Sequence, residues 1–431
     1  MKKLLIVGSD FGTVSVVKAA HKMGYYVITA DYLEISPTKE ESDERWLVST
    51  NNIDELEYKS REAGVEAVMF GASDFNISNC RELCKRLHLP IYCDDDTIWD
   101  VSRDKRAFKT ICKEVGAPVA TDYLLNDDNY QTEARNIIYP VVVKPSDKSG
   151  NRGMGFCKDE GEFIEAYQAA RKISDNSIIV ERMLHGPEYN VHYALADGEA
   201  SLLYFSSTHH EPGQPSNIYS FKCTTSHHLK QYIEEVDDIA KLVIKKVGCR
   251  EGIVWFDIMR DADEKFYLLE MGYRFGGVMT YVPYEKVSGF DTVKWMLEIA
   301  CGIKHRPIDL PKSLCASQNA VAASYHLFST RSTKIGQIEG LEEIEKIPNV
   351  YLDVLKRQGV NVRGMAGMGL IGIYGEDIED LCLKVAIINN KLSIKDQEGR
   401  DIVIKFDDYD SLKKEYRSGL REFGKIDTAN N

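Results

Sequence analysis

Apolar and polar positions alternate in blocks along the first part of the chain. KKLLIVG, YYVITADY and VEAVMFG are short apolar runs rich in β-branched residues, which predicts three buried strands. TVSVVKAAHKMG, DELEYKSREAG and SNCRELCKRLHL repeat their apolar residues at helical spacing, which predicts helices closed by Gly24, by Gly64 and, in the last case, before Pro90. Strands alternating with helices of this length predict parallel βαβ units with right-handed crossovers, and so an open Rossmann-like α/β domain over residues 1–97.

From Ile98 the pattern changes. SRDKRAFKTICKEVGAP predicts one amphipathic helix with Ser102 as its N-cap, Gly116 at its C-terminus and Pro118 beyond. Up to residue 310, shorter strands and helices mix with hairpin-like spacing, an α+β pattern. From Pro311 on, VNVRGMAGMGLIGIYG predicts strands and EDIEDLCLKVAIINN a helix. In KLSIKDQEGRDIVIKF, residues 391–395 and 402–406 alternate around a DQEGR turn, as a hairpin would.

Length and charge narrow the class. At 431 residues the chain exceeds the ~250–300 at which a single core stops growing, so two or three domains are expected. A net charge of −13 works against sequence-independent binding to nucleic acid or to an anionic membrane surface. MKKLLIVGSDFG begins like a secretion signal, but Gly8-Ser9-Asp10 breaks its apolar run, and no uncharged apolar stretch approaches the ~20 residues of a membrane helix. The expected location is the cytoplasm. Ten scattered cysteines fit reduced core thiols; only Cys80 and Cys84 share a helical spacing, without a second pair to complete a zinc site.

The first turn, VGSDFGT, could hold a dinucleotide with Asp31 as ribose ligand, but its G-x-x-x-G spacing departs from G-x-G-x-x-G. A nicotinamide-dependent oxidoreductase would rest on this turn alone.

Three later stretches carry more chemistry. In YPVVVKPSDKSGNRGMGF a strand ends at Lys144-Pro145 and a loop with Gly150, Gly153 and Gly155 follows. Glycines let backbone N–H groups wrap an anion, and a lysine at a strand end supplies a point charge to phosphate oxygens. A plain surface loop accounts for the stretch equally well. NSIIVERMLHGPEYNV places a strand edge before Gly186-Pro187-Glu188, which would suit a purine and its ribose hydroxyls, or a solvated turn.

GIVWFDIMRDADEKFYLLEMG reads as a hairpin around Asp261-Ala262-Asp263-Glu264. With Asp261 facing Glu264, the ladder sets Asp257 opposite Leu268 and Trp255 opposite Glu270. The two carboxylates are then diagonal neighbours on one face, within ~7–8 Å. Trp255, Met259, Phe266 and Leu268 share that face, while Val254, Phe256 and Ile258 meet Tyr267 and Leu269 on the other. Two acids in apolar surroundings are costly, and a divalent cation such as Mg²⁺ holds them together.

In order and spacing, Arg103-Asp104-Lys105, Val143-Lys144-Pro145 with SGNRGMG, Val180-Glu181 with Gly186-Pro187-Glu188, Asp257, and Glu270 to Gly277 resemble the ATP-grasp superfamily of carboxylate-amine ligases. The resemblance covers nearly the whole chain. It implies a pre-ATP-grasp domain over 1–97, an ATP-grasp body over 98–310 with a lid at about 118–182, and a biotin-carboxylase-like domain over 311–431. By motif position it implies ATP contacts at Lys105, Lys144, Ser149, Gly150, Gly153, Gly155, Glu181, Met183, Leu184 and Glu188. It implies Mg²⁺ or Mn²⁺ on Asp257 and Glu270, and catalysis and substrate binding at Arg274, with Lys144 as a second catalytic cation and Gly276 and Gly277 shaping the pocket. One position departs from the superfamily's E-x-N-x-R: Gly272 stands where an asparagine ligand is expected.

The expected activity is activation of a carboxylate as an acyl phosphate and its capture by an amine, with an amino-acid-like substrate. Alternatives are a bicarbonate-activating carboxylase or carbamoyl-phosphate-type synthase, and an ATP-binding protein without catalysis, which Gly272 motivates. Further substrate candidates are His209, His210 and Lys222 in the loop-rich stretch YFSSTHHEPGQPSNIYSFKCTTSHH, where exposed loop histidines are an equal reading. Ser73 and Asp74 are candidates at the end of a strand of the open sheet. The resemblance implies a homodimer through the N- and C-terminal domains.

Overall fold

The computed structural model describes residues 1–10, 12–148, 152–210, 219–277, 281–311, 320–353 and 356–427. Strands Lys3–Val7, Tyr26–Asp31 and Val65–Phe70 form where the apolar blocks predict them, all parallel. A fourth parallel strand, Glu44–Leu47, extends the sheet beside Tyr26–Asp31. It escapes the pattern because only Trp46 of its four residues is buried. Asp31 is no ribose ligand here: its carboxylate accepts the N–H of Leu33 at 2.6 Å, two residues on.

The single helix expected after Ile98 is two, Asp96–Arg103 and Lys105–Glu114. Asp104, in an extended conformation, caps the second by accepting the N–H groups of Arg106 and Ala107 at 2.9 Å. Aspartate satisfies two orphan donors where Ser102 satisfies none; the Ser102 hydroxyl instead bonds the Trp99 carbonyl.

Antiparallel strands Asp122–Tyr123, Ile178–Arg182, Val141–Pro145 and Gly155–Cys157 make a separate sheet, covered by helix Glu160–Arg171. Its small core holds Val141, Val143, Phe163, Tyr167 and Val180.

The largest sheet has eight strands, in the order Phe266–Gly272, Gly252–Arg260, Glu188–Ala196, Glu199–His210, Tyr219–Thr224, Val321–Phe328, Gly367–Gly375 and Val350–Asp353. It therefore runs without a break from the hairpin into the residues beyond Pro311, joined where Tyr219–Thr224 pairs with Val321–Phe328. Residues 402–406 form no regular strand. Residues do pair across the DQEGR turn: Lys395 bridges Asp401, the Asp396 N–H bonds the Arg400 carbonyl and the Ile402 N–H the Ile394 carbonyl, while Ser393–Asp396 also pairs with Thr333–Glu339.

The two faces of the eight-stranded sheet are buried differently. On one, Val254, Phe256, Ile258, Phe266 and Leu268 pack with Tyr189, Tyr193 and Phe108. Toward the N-terminal end, Ala194 and Ile253 pack with Trp295 and Tyr284, with Leu4 of the parallel sheet and with Val17 of helix Thr13–Lys22. At ~1.5–3 kcal/mol for each large apolar side chain, these layers fix the hairpin against the parallel sheet. That leaves one stretch of sheet, around Asp257, facing the small four-stranded sheet.

Candidate active site

The hairpin register differs from the one its turn suggests. Asp257 lies directly opposite Glu270 and Trp255 opposite Gly272, while Ile258 pairs with Leu268. Two one-residue shifts make the difference: the ladder closes with the Asp261 N–H on the Lys265 carbonyl, one residue beyond Glu264, and a bulge at Leu269 then adds one residue on the second strand. The shift at the turn also exchanges faces. Phe266 and Leu268 join the core, and Tyr267 moves to the side of Met259. The carboxylates end up as a direct cross-strand pair, closer than the expected diagonal.

The pair is held by side chains from three further elements. Asn190, beside Asp257 on the neighbouring strand, donates its amide to Oδ1 at 2.6 Å, and Lys222 Nζ stands 3.9 Å from the same oxygen. Lys105 Nζ reaches Glu270 at 3.1 Å and also donates to the carbonyl of Lys148 at 2.8 Å. Burial pushes the Asp257 carboxyl up, Lys222 opposes it, and the facing Glu270 adds to the rise. Burial acts on Glu270 in the same sense, but Lys105, Lys144 and Arg274 outweigh it and hold that carboxyl below the usual range. One acid that resists ionising beside one that ionises readily suits a divalent cation, which would relieve the first. Two facing hard oxygen donors, partly open to solvent, fit Mg²⁺.

Behind the pair, Arg274 donates Nε–H to Asp74 Oδ1 at 2.5 Å, and its guanidinium stacks 5.1 Å from the Trp255 ring centroid. Asp74 thus meets Arg274 directly, while the Ser73 hydroxyl caps helix Asp74–Leu87 by accepting the Asn76 N–H. Gly272 has a local cause. A Cβ there would fall 2.2 Å from two indole carbons of Trp255, so the indole fills the space a side chain at 272 would take. Gly276 offers its carbonyl to Tyr281, and a Cβ on Gly277 would touch Ala72. The Ala72 N–H binds Asp10, which burial pushes up to about 6.

In the small four-stranded sheet, Glu181 sits between Lys144 and Lys109, all three buried. Met183 and Leu184 follow in an extended linker, with the Met183 N–H on the Pro140 carbonyl. Asp261 clamps this linker, accepting from Arg182 and from the His185 N–H, each at 2.6 Å. The fit requires glycine at 186, where a Cβ would strike the Arg260 carbonyl at 1.9 Å. Glu188 ends the linker with His210 Nε2 at 3.3 Å.

Of the loop glycines, Gly153 has φ +77°, and Gly155 is needed because a Cβ would lie 2.5 Å from that of Ala166 on helix Glu160–Arg171. Ser149 and Gly150 lie outside the described residues. His209 turns to the other face of the sheet, its ring packed near Phe221 and Phe406, with Ser207 at 2.9 Å. The structure thus brings Lys105, Asp257, Glu270, Lys222, Arg274 and Asp74 together and leaves His209 apart. Sequence reasoning missed Lys109, Asn190, Trp255 and Asp261 as parts of the site. Lys109 follows Lys105 by one helical turn, a spacing that would have flagged it.

Residues 104–307 match the family model described as carbamoyl-phosphate synthase L chain, ATP binding domain. The chain is 24% identical over 249 residues to the methylcrotonoyl-CoA carboxylase subunit alpha of Glycine max, covering 53% of this chain and 31% of that protein. It therefore spans under a third of that relative's length. It is also 24% identical over 331 residues to the 2-oxoglutarate carboxylase small subunit of Hydrogenobacter thermophilus, covering 71% of this chain and 68% of the relative. The solved L-amino acid ligase from Bacillus licheniformis superposes with a TM-score of 0.75 at 17% identity, over 92% of this chain and 99% of that one. The biotin carboxylase domain of the Hydrogenobacter 2-oxoglutarate carboxylase, solved as a dimer with MgADP and bicarbonate, superposes at 0.74 with 17% identity, over 94% and 91%. At such identities the likeness to solved structures is one of fold.

Proposed function

We propose that the chain, whose residues 104–307 match the carbamoyl-phosphate synthase ATP binding domain, is a member of the ATP-grasp superfamily and an ATP- and Mg²⁺-dependent ligase that activates a carboxylate as an acyl phosphate and joins it to an amine. The observation that carries this reading is the facing pair Asp257 and Glu270, with Lys105 at one end and Arg274 at the other. The domain divisions and site roles implied by the resemblance are part of the same proposal. So is a homodimer, by likeness to the neighbour solved as one.

Mg²⁺ on Asp257 and Glu270 supplies neutralisation of triphosphate charge. Lys105 and Lys144 add fixed positive charge beside the phosphates, and the Arg182–Leu184 linker offers backbone groups to adenine, with Glu188 toward the ribose. A substrate carboxylate oxygen attacks the γ-phosphorus and ADP leaves. The amine then attacks the acyl carbon and expels phosphate, while Arg274, held by Asp74 and Trp255, stabilises the oxygen that gains charge. The short lid sheet excludes water from the acyl phosphate.

Bicarbonate as the activated carboxylate is a second reading, favoured by the names of the curated relatives. One assay separates the readings: phosphate release with ATP, Mg²⁺ and either a panel of amino-acid pairs or bicarbonate alone. Release that requires both a carboxylate and an amine supports the ligase. Release with bicarbonate and no amine supports carboxylase-type activation. If ATP binds and neither condition raises release above background, the protein binds nucleotide without catalysis.

A further inference from the structure

Two histidines that this chemistry does not use lie beyond the other face of the eight-stranded sheet. His227 and His228 follow strand Tyr219–Thr224, their imidazoles tilted 32° to one another with centroids 3.7 Å apart. The Tyr189 hydroxyl, from the core face and not the face of Asn190 and Asp257, hydrogen-bonds His228 Nδ1 at 2.7 Å. Helix Tyr409–Asp427 crosses this turn so closely that a Cβ on Gly419 would lie 2.3 Å from the His227 nitrogen. One helical turn later comes Glu422. Its Oε1 lies 3.2 Å from His227 Nδ1, and its Oε2 accepts the His228 N–H at 3.0 Å. One ring nitrogen from each histidine and one Glu422 oxygen all lie within 4.8 Å of one another.

We propose that His227, His228 and Glu422 form a separate site for a transition-metal ion of the Zn²⁺ type, which fastens the C-terminal helix to the body of the protein. Two imidazoles and one carboxylate are the donors that Zn²⁺ or Co²⁺ takes, whereas Mg²⁺ prefers oxygen alone. At bond lengths of about 2.0–2.2 Å, tetrahedral ligands stand roughly 3.4 Å apart, so all three donors close in on the ion from within 4.8 Å of one another. Tyr189 does what outer-shell partners of metal-bound histidines do: it engages one ring nitrogen and leaves Nε2 to coordinate. All three residues are only partly buried, so water can take the fourth position. The helix so fastened also carries Glu415, 3.8 Å from His209.

The test is a Co²⁺ titration of the whole protein, read by visible absorption, with excess Mg²⁺ present to occupy the Asp257–Glu270 pair. The site predicts one tightly bound equivalent with the spectrum of mixed nitrogen and oxygen ligation, displaced by Zn²⁺. Glu422→Gln, which keeps the shape and exposure of that side chain, should weaken binding at least ~10-fold, and Tyr189→Phe by roughly 10-fold. His228→Ala serves as a further variant if its metal-free melting temperature matches wild type. Absence of a bound equivalent, or undiminished Co²⁺ affinity in Glu422→Gln, overturns the proposal. Neither result touches the ligase reading, which phosphate release decides.

Discussion

Two clusters of acids and lysines border the same cleft, and they are built in opposite ways. Glu181 lies between Lys109 and Lys144, with all three side chains at most 8% exposed and both cations in direct contact. Asp257 and Glu270 face each other with side chains 20% and 33% exposed, and their lysines stand off at 3.9 and 3.1 Å. The first cluster is closed, since its carboxylate has a cation on either side. The second is open: two like charges meet across a ladder, an arrangement that destabilises unless something positive enters. Residue type does not separate an ion cluster neutralised by its own lysines from one that calls for a further cation here. Pairing and exposure do.

Removing one acid from each cluster should therefore do opposite things. Glu270→Ala is expected to lower phosphate release by at least ~10³-fold, on the order of 4 kcal/mol in the barrier, while the metal-free melting temperature stays close to wild type. Retained turnover would sink the metal assignment. Glu181→Ala strands two buried lysines and should cost about 3–5 kcal/mol of stability, seen as a lowered denaturant midpoint at unchanged slope. If Glu181→Ala leaves stability intact, the distinction between closed and open clusters fails.

The same contrast explains what could be seen from the sequence. The parallel sheet was legible because KKLLIVG, YYVITADY and VEAVMFG are buried on both faces and read as unbroken apolar runs. Glu44–Leu47 was not, being an edge strand with one buried residue. In the site, Asp257 and Glu270 were legible as acids closing apolar strands, and their common face followed from the hairpin. Their register was not, because a bulge at Leu269 leaves no mark in composition. Lys144 was visible as a cation after a strand, but its pairing with Glu181 depends on two strands meeting far apart in sequence. Gly272 looked like a lost ligand until Trp255, seventeen positions earlier, proved to occupy its space.

That last relation can be broken directly. Gly272→Asn restores the residue type of the E-x-N-x-R pattern but drives a side chain into the Trp255 indole, so it should destabilise by about 1–3 kcal/mol, as overpacking does. Arg274 would lose its stacking partner at the same time. Pairing the change with Trp255→Ala removes the clash, so by a denaturant melt the double variant should lose less stability than the sum of the two single changes. If Gly272→Asn is as stable as wild type and tightens Mg²⁺ binding, then the glycine is a missing ligand and not a seat for the indole.

The gentlest probe of the two clusters is pH. Asp257 is raised above its unfolded value, chiefly by burial, so its favourable contribution is whole below the ordinary carboxylate range and is lost as pH rises through the folded pKa. Glu181 is lowered: burial opposes its ionisation, but Lys144 and Lys109 prevail, so its contribution is present above the unfolded pKa and is lost as pH falls. For Asp257 the slope is at most about 1.4 kcal/mol per pH unit, the value for one proton bound in one state and not in the other. Metal-free Asp257→Asn should therefore flatten the stability profile on its neutral side, and Glu181→Gln on its acid side. Mg²⁺ should stabilise wild type more at neutral pH than in acid, since a proton on Asp257 competes with the ion. Equal stabilisation by Mg²⁺ at both pH values would show that the ion does not sit on Asp257, and the open cluster would then need another occupant.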